Sequence, residues 1–277
     1  MSTNDNTGDQ LENKTVLLVR DQLQDAKSTQ GPFELPCGYL AEDGNVYTDV
    51  VVREIRGHEE DMLGNPKVPA ARKMSELMSR CVERVGPFTD RGKIAQIVMD
   101  LIVGDRAFLI FAIRRVTLGD EFPFKDQCPE CKKESLYVAD LSELEVKRMP
   151  DPHKRLFDIP LPSGKSVRFR PMTGRSEEKL LKDGKAHGED ALSLAILARL
   201  ELMDGKPVML DDVKNLGMRD RHALRSEFET VEGGIETETD MTCPYCDHEF
   251  RKEIDVSQRS FFFPSAIPRN SKPKSST

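Results

Sequence analysis

The sequence predicts an α+β protein made of two diverged copies of one unit, in which each copy supplies half of a four-cysteine zinc ribbon. Three observations predict this arrangement. Two Cys-Pro-x-Cys motifs, Cys128–Cys131 and Cys243–Cys246, lie about 115 residues apart. The residues around the two motifs match each other at nearly the same offset. Predicted strands and helices alternate irregularly, with hairpins instead of strand–helix–strand units, which is typical of α+β folds.

The two cysteine pairs predict one tetrahedral metal site. Two thiolates separated by two residues can bind one ion side by side, and a second pair completes four ligands. Four thiolates leave no coordination position for water or substrate, so a structural zinc ion is expected, not a catalytic one. The alternatives are a chain that has lost its metal, half-sites completed by another subunit, and a redox disulfide. His248 is an alternative ligand, although four thiolates leave it no vacancy.

The pairs lie much further apart than the fifteen to twenty residues of a compact ribbon, and internal similarity explains the distance. A shift of about 115 positions aligns Arg106 with Arg221, Leu109 with Leu224, Val116 with Val231, Gly119 with Gly234, Asp140 with Asp255 and Ser142 with Ser257. A shift of about 117 aligns Arg53, Gly57, Glu60 and Leu63 with Arg170, Gly174, Glu177 and Leu180. The shared order predicts a flexible arm at 1–30, repeats at 31–149 and 150–263, and a disordered tail at 264–277.

In the first repeat, Phe33–Ile55 is predicted to form a β-hairpin that turns at Asp43–Asn45. A helix after Pro69 is predicted from apolar residues at three- and four-residue steps, namely Met74, Leu77, Met78, Cys81, Val82 and Val85. Asp90 is predicted to cap a second helix. A third helix is predicted over residues 106–117, followed by one strand on each side of the first cysteine pair.

The second repeat predicts the same order of elements. Ile159–Met172 is a hairpin that turns at Ser163 and Gly164, and Thr173 leads into a short helix interrupted around Gly184 and Gly188. An amphipathic helix is predicted from Leu192, Ala195, Ile196, Leu200 and Met203. A further helix from Arg219 leads to two strands on either side of the second cysteine pair.

The composition narrows the functional classes. The chain has 277 residues, a net charge of −7 and no apolar stretch long enough to span a membrane. An acidic balance argues against a non-specific nucleic-acid binder, which needs a positive surface. Four of six cysteines in metal-type pairs fit a reducing compartment, so a cytoplasmic location is expected. Cys81 is predicted to lie in the core and Cys37 to be a free thiol, and no GxSxG, HExxH or phosphate-loop motif indicates catalysis.

Three consecutive aromatic residues, Phe261, Phe262 and Phe263, follow the last predicted strand. They are expected either to add one more strand to the ribbon or to dock on a partner subunit. Exposed together, they would form a large apolar patch on a soluble protein. They are therefore candidate partner-binding residues.

Two stretches resemble a known family. Ile102–Phe122, followed by the first cysteine pair and by Asp140–Leu144, resembles the baseplate protein family of T-even-type contractile-tail bacteriophages, and Val167–Glu177 is similar to that family's other recurring stretch. The resemblance covers residues 30–260 approximately. It implies a subunit of the baseplate or its central hub, or a chaperone for hub assembly, with other baseplate, hub or tail proteins as partners.

The expected function is therefore that of a structural or assembly protein without enzymatic activity. It would be present in the host cytoplasm during assembly and in the virion baseplate if it stays in the particle. Neither nucleic acid nor membrane is an expected partner. The alternatives are a zinc-ribbon nucleic-acid-binding or transcription-associated factor, which would show a basic groove beside the metal, and an enzyme that uses the metal, which would need an open coordination position.

Overall fold

The computed structural model describes residues 32–182, 188–256 and 259–263. The predicted arm at 1–30, the tail at 264–277 and the interruption around Gly184 lie outside the described residues. The chain divides into two compact units. We call the described parts of Leu118–Glu143 and Thr237–Thr277 the ribbon unit, and the described parts of Ser28–Thr117 and Leu144–Glu236 the larger unit. The units cut across the predicted repeat boundaries, because each unit takes residues from both halves of the chain.

The secondary structure confirms the predicted α+β class, with small antiparallel sheets and helices. The described strands are β1 (Pro32–Leu40), β2 (Val46–Val52), β3 (Val82–Val85), β4 (Glu121–Gln127), β5 (Glu134–Asp140), β6 (Val146–Lys147), β7 (Phe157–Pro160), β8 (Ser166–Phe169), β9 (Leu200–Met203), β10 (Lys206–Pro207), β11 (Gly234–Ile235), β12 (Glu238–Thr242) and β13 (Glu249–Glu253). The described helices are α1 (Gly57–Gly64), α2 (Ala70–Cys81), α3 (Arg91–Asp100), α4 (Val103–Leu118), α5 (Gly174–Lys182), α6 (Ala191–Leu197), α7 (Leu210–Lys214), α8 (Met218–Glu232) and α9 (Arg259–Phe262).

The larger unit contains two sheets, of order β1-β2-β3 and β10-β9-β8-β7, and a short β6-β11 pair. Both predicted hairpins are confirmed, and their turns close in the same way. The Ala41 N–H donates to the Asn45 carbonyl at 2.9 Å, and the Leu161 N–H donates to the Lys165 carbonyl at 2.8 Å. Gly44 and Gly164 take the positive φ that each turn requires, +82° and +87°.

Several predicted helices of the larger unit are also confirmed. Asp90 caps α3, because its carboxylate accepts from the Lys93 N–H at 2.8 Å. The apolar run predicted as a helix from Arg106 forms α4, which begins three residues earlier, at Val103. Most of the α4 side chains are buried, which explains why the run shows no clear amphipathic pattern.

Two predicted helices end earlier than expected. Val82 and Val85 belong to strand β3, and Leu200 and Met203 belong to strand β9. Each of these strands carries an irregularity in its pairing with β2 or β8. An extra residue in a strand lets two side chains three positions apart face the same side. All four side chains are buried, so the strands reproduce the three-residue spacing that predicts a helix.

The pairing registers of the two halves correspond. Val50 lies opposite Val85 and Val52 opposite Val82, with one residue more in β3 than in β2. Val167 lies opposite Met203 and Phe169 opposite Leu200, with the same extra residue in β9. The order of two strands, two helices, a strand and two helices is also the same in the two halves, apart from the short β10.

The ribbon unit consists of two antiparallel hairpins, β4-β5 and β12-β13, and the short helix α9. Lys125 lies opposite Leu136, and Asp240 lies opposite Arg251, which is the same register at an offset of about 115. An aromatic cluster fills the unit and is formed by Phe122, Phe124, Tyr137, Phe250 and Phe261. Its members come from both hairpins and from α9.

The Phe261–Phe263 segment does not form the additional strand that is one of its two predicted conformations. It forms the helical turn α9 and the residue after it. Phe261 is fully buried, and its ring centroid lies 5.6 Å from that of Phe122. Phe262 and Phe263 are half-buried. Partner binding by these residues stays a prediction.

Within residues 32–182, 188–256 and 259–263, no helix combines the length and the apolar character that crossing a membrane requires.

Candidate metal centre

Two turns of the same geometry carry the four predicted cysteine ligands. In the first turn the Cys128 N–H donates to the Lys133 carbonyl at 3.0 Å, and the Lys132 N–H donates to the Cys128 carbonyl at 3.1 Å. In the second turn the Cys243 N–H donates to the His248 carbonyl at 2.9 Å, and the Asp247 N–H donates to the Cys243 carbonyl at 3.0 Å.

One residue in each turn adopts the left-handed backbone conformation that residues with a side chain rarely take. Lys132 has φ +61° and Asp247 has φ +55°. The two residues occupy corresponding places, directly after Cys131 and Cys246. Each turn therefore holds the same strained geometry, which brings its two cysteine sulfurs to the same side.

The structure brings all four predicted ligands together. The sulfur atoms of Cys128, Cys131, Cys243 and Cys246 all lie within 4.8 Å of one another. The Cys128 and Cys246 sulfurs are 3.7 Å apart, and so are the Cys131 and Cys243 sulfurs. Each of these close pairs takes one sulfur from each hairpin.

These distances fit a tetrahedral metal site. Zn–S bonds of about 2.3 Å place tetrahedral sulfurs about 3.8 Å apart. A disulfide would need sulfurs about 2.05 Å apart, and all four cysteines are free thiols here. The four cysteines differ in exposure to solvent. Cys128 and Cys243 are buried, Cys131 is half-buried and Cys246 is exposed. Four soft sulfur donors at this spacing can hold a metal ion.

The pKa values of Cys243 and Cys246 shift in opposite directions. Burial raises the pKa of Cys243, but the N–H groups of Tyr245 and Cys246 and the neighbouring thiols outweigh it and lower that pKa to about 6. For Cys246 the His248 N–H favours the thiolate, but burial and the neighbouring cysteines raise the pKa to about 12. Negative charges packed this closely oppose one another, and a divalent cation among them removes that repulsion.

Contacts around the cysteines join the two hairpins of the ribbon unit. The Lys252 ammonium lies 2.6 Å from the Asp126 carboxylate. At the exposed tip, the Lys133 ammonium lies over the Tyr245 ring, 4.7 Å from its centroid, in a cation–π contact. These pairs link β4-β5 to β12-β13 beside the sulfur cluster.

Tyr137 is the residue near the site that the sequence patterns did not single out. Its side chain is buried, and its hydroxyl oxygen has no hydrogen-bond partner among the described residues that meets ordinary geometry. Burial and the adjacent Cys243 thiol, followed by Cys128 and Cys131, raise the pKa of the Tyr137 hydroxyl. Side chains alternate between the two faces of a strand, and in β5 this places Tyr137 on the inner face with Ser135 and Ala139. This alternation is the sequence signal that could have indicated Tyr137.

The other two cysteines and the alternative ligand are not members of the cluster. Cys81 is fully buried at the end of α2, as predicted, and burial raises its pKa to about 12. Cys37 is a free thiol, as predicted. It lies within strand β1, and its sulfur donates to the Glu232 carbonyl at 2.8 Å. The His248 ring stacks on Phe250 and is not a member of the sulfur cluster.

None of the protein-family models, curated proteins or solved structures with which the chain was compared matches it.

Proposed function

We propose that the ribbon unit binds one zinc ion through Cys128, Cys131, Cys243 and Cys246, and that this ion has a structural role. The observation that carries the proposal is the convergence of four sulfurs, two from each half of the chain, within 4.8 Å. Four thiolates fill a tetrahedral zinc ion, so no coordination position is left for a substrate. Structural zinc binds small peptides with about 10–16 kcal/mol of apparent free energy. Closing a loop of about a hundred residues costs only a few kcal/mol.

The chain is, in this proposal, an internal duplication whose two copies share the ribbon. The matching order of elements, the extra residue at the same place in β3 and β9, and the equal registers of the two ribbon hairpins support this reading. The two cysteine turns add left-handed residues at corresponding positions. Two copies of one unit would each be left with half a metal site if separated.

The protein's role, in this proposal, is that of a non-enzymatic structural or assembly protein of a contractile-tail phage baseplate or hub. The resemblance of Ile102–Phe122 and Val167–Glu177 to the baseplate family supports it. Its partners are then other baseplate, hub or tail proteins in the host cytoplasm. A metal-closed ribbon suits this role because it fixes the fold of the protein without adding a reactive site.

Metal analysis of the purified protein tests the zinc site. The expected result is one zinc ion per chain by elemental mass spectrometry, and a lower melting temperature after chelation. Cys243→Ser should lose the metal and melt at a lower temperature. Cys81→Ala is the control, because Cys81 is buried outside the cluster. A Cys243→Ser protein with full metal content and unchanged melting contradicts the proposal.

Mass spectrometry of purified virions and of infected-cell lysates tests the assembly role. The protein should co-purify with baseplate or hub proteins from lysate, and its absence should block tail assembly. Its presence in virions indicates a subunit, and its absence from virions indicates an assembly chaperone. A protein that stays alone throughout tail assembly contradicts the proposal. Salt-sensitive binding to DNA or RNA would instead indicate the nucleic-acid-binding alternative.

A further inference from the structure

The Tyr137 hydroxyl is buried beside the Cys243 thiol and makes no hydrogen bond of ordinary geometry to any described residue. The side chain of Tyr137 is only 5 % exposed, so water does not readily replace a protein partner. Buried hydroxyls are normally hydrogen-bonded, because an unpaired one costs free energy. The protein groups around Tyr137 therefore leave the donor capacity of its hydroxyl largely unused.

The ring of Tyr137 is held so that its hydroxyl has little freedom to turn elsewhere. Phe124, opposite Tyr137 on β4, stacks on the ring with centroids 5.9 Å apart. Phe250 on β13 meets the ring edge-on at 5.5 Å. A ring packed between two aromatic neighbours keeps its orientation. The hydroxyl consequently stays beside the Cys243 thiol, with which it interacts.

Metal binding changes what the sulfur beside Tyr137 can accept. A thiol is a weak acceptor, whereas a metal-bound thiolate carries negative charge and accepts well. Four thiolates and one divalent ion leave the site with a net charge of about −2. Donors to the sulfurs offset this charge. The Tyr245 N–H, 3.5 Å from the Cys243 sulfur, is already one such donor.

We propose that the Tyr137 hydroxyl donates a hydrogen bond to the metal-bound Cys243 thiolate and acts as a positioning residue for the metal centre. This inference rests on the proposed zinc site. Outer-shell hydrogen bonds orient metal ligands, and removing one typically costs 10–100-fold in metal affinity. The position that corresponds to Tyr137 in the second hairpin is occupied by Lys252, not by a tyrosine. The donor thus serves one side of an otherwise symmetric ligand set.

The test uses the full-length Tyr137→Phe protein, which loses only the hydroxyl. Zinc affinity is measured by competition with a chromophoric chelator, and cobalt(II) replaces zinc to give a sulfur-to-metal charge-transfer band. We expect the dissociation constant to rise roughly 10-fold or more. The band should move to lower energy, because the sulfur loses a hydrogen bond that stabilises its lone pairs. Tyr39→Phe is the matched control, since Tyr39 is also buried but lies in the larger unit.

A second measurement uses the unaltered sequence labelled with 3-fluorotyrosine, which gives four fluorine resonances for the four tyrosines. Tyr→Phe changes at positions 39, 47 and 245 assign them. The Tyr137 resonance should shift on metal loading, while those of Tyr39 and Tyr47 stay in place. This measurement holds even if Tyr137→Phe fails to fold.

The outcomes separate the two proposals. An unaltered protein that binds no metal overturns both. An unaltered protein that binds zinc, together with a Tyr137→Phe affinity and band equal to those of the Tyr39→Phe control, overturns the role of Tyr137 alone. A Tyr137 fluorine resonance that ignores metal loading has the same effect.

Discussion

The Arg106 guanidinium donates to the main-chain carbonyl of Val98, eight residues earlier, at 2.9 Å. Val98 lies in the last turn of α3, so the contact satisfies a carbonyl that the helix itself leaves without a partner. The Arg221 guanidinium donates to the Val213 carbonyl of α7 at 3.0 Å, also eight residues earlier, and that carbonyl accepts from the Leu216 N–H as well. Each arginine also donates to the serine of an earlier helix, Ser75 for Arg106 and Ser193 for Arg221. In each half of the chain, one guanidinium group thus links three helices.

Replacing Arg106 with alanine should destabilise the larger unit. The change leaves the Val98 carbonyl and the Ser75 hydroxyl without this donor and breaks the ion pair with Glu177. A buried group left unpaired costs about 1–3 kcal/mol, so we expect a loss of at least about 2 kcal/mol in urea unfolding. Arg219→Ala, at an exposed position, should change stability by less than about 0.5 kcal/mol. Equal effects of the two changes would mean that the Arg106 contacts contribute nothing.

Replacing Gly104 with alanine should also destabilise the larger unit, for a steric reason. A Cβ on Gly104 would lie 2.3 Å from the Glu232 carbonyl oxygen and 2.8 Å from the Gly233 carbonyl carbon. Overpacking of this kind costs about 1–3 kcal/mol, and backbone atoms cannot move aside as a side chain can. The matched control is Gly57→Ala, where nothing lies within 4 Å of the added Cβ.

Both glycine changes lower the entropy of the unfolded chain in the same way. The difference between their unfolding free energies therefore isolates the close contact at Gly104. A Gly104→Ala protein as stable as Gly57→Ala would show that the α8 end can move away from α4 without cost.

The helix ends marked by Val82 and Leu200 show where the sequence patterns fail. Both residues follow a helix and begin a strand with an irregular pairing. Because the irregularity keeps the three-residue spacing of buried side chains, periodicity alone extends the helix through the strand. The same error at corresponding places in the two halves has one physical cause. In contrast, the hairpins and the Asp90 cap were predicted from local patterns, and the helix α4 was predicted from its match to the helical spacing of the second half.

Asp105 should make stability depend on pH. Its carboxylate is fully buried, and one oxygen accepts from the Cys37 N–H at 2.7 Å while the other has no partner among the described residues. Burial outweighs the hydrogen bonds from the Cys37 and Gly38 N–H groups and raises the pKa of Asp105 to about 7. An unfolded aspartate has a pKa of about 3.9. The folded protein therefore binds the proton more tightly than the unfolded chain does.

The unfolding free energy should consequently fall as the pH rises from about 4 to about 7 and level off above that. The slope contributed by one such group reaches about 1.4 kcal/mol per pH unit. Asp105→Asn should remove this part of the pH profile, measured by urea unfolding across the range. Asp158→Asn is the control, because Arg168 lowers the pKa of Asp158 and its effect is confined to lower pH. A profile unchanged by Asp105→Asn contradicts the assignment.

Replacing Phe261 with alanine should weaken the ribbon unit. The Phe261 ring is fully buried and packs on Phe122 and Phe262. Large-to-small changes at buried phenylalanines cost about 3–5 kcal/mol. We expect faster hydrogen exchange in β4 and easier removal of metal by chelators. Leu192→Ala, where the side chain is 71 % exposed, should do neither. Unchanged exchange in Phe261→Ala would show that α9 does not support the ribbon.

The candidate site could be predicted as far as its ligands but not its surroundings. Cysteine spacing and the match between the two halves predict Cys128 and Cys243 as members of one site. The sequence patterns do not indicate the Tyr137 hydroxyl, because its position depends on the packing of two aromatic rings from different hairpins. The self-alignment paired Arg106 with Arg221, yet only the structure shows that each closes the end of a helix.

The shared ribbon has a consequence for how the chain is made. A ribosome adds about 5–20 residues per second, so Cys128 emerges on the order of ten seconds before Cys243. During that interval the chain contains only the first cysteine pair. A neighbouring nascent chain can then supply the second pair of thiols. If the proposed zinc site forms, correct folding requires the second cysteine pair of the same chain to be made before a pair from another chain binds the ion, so we expect fewer mixed sites when synthesis is dilute or free metal is limited.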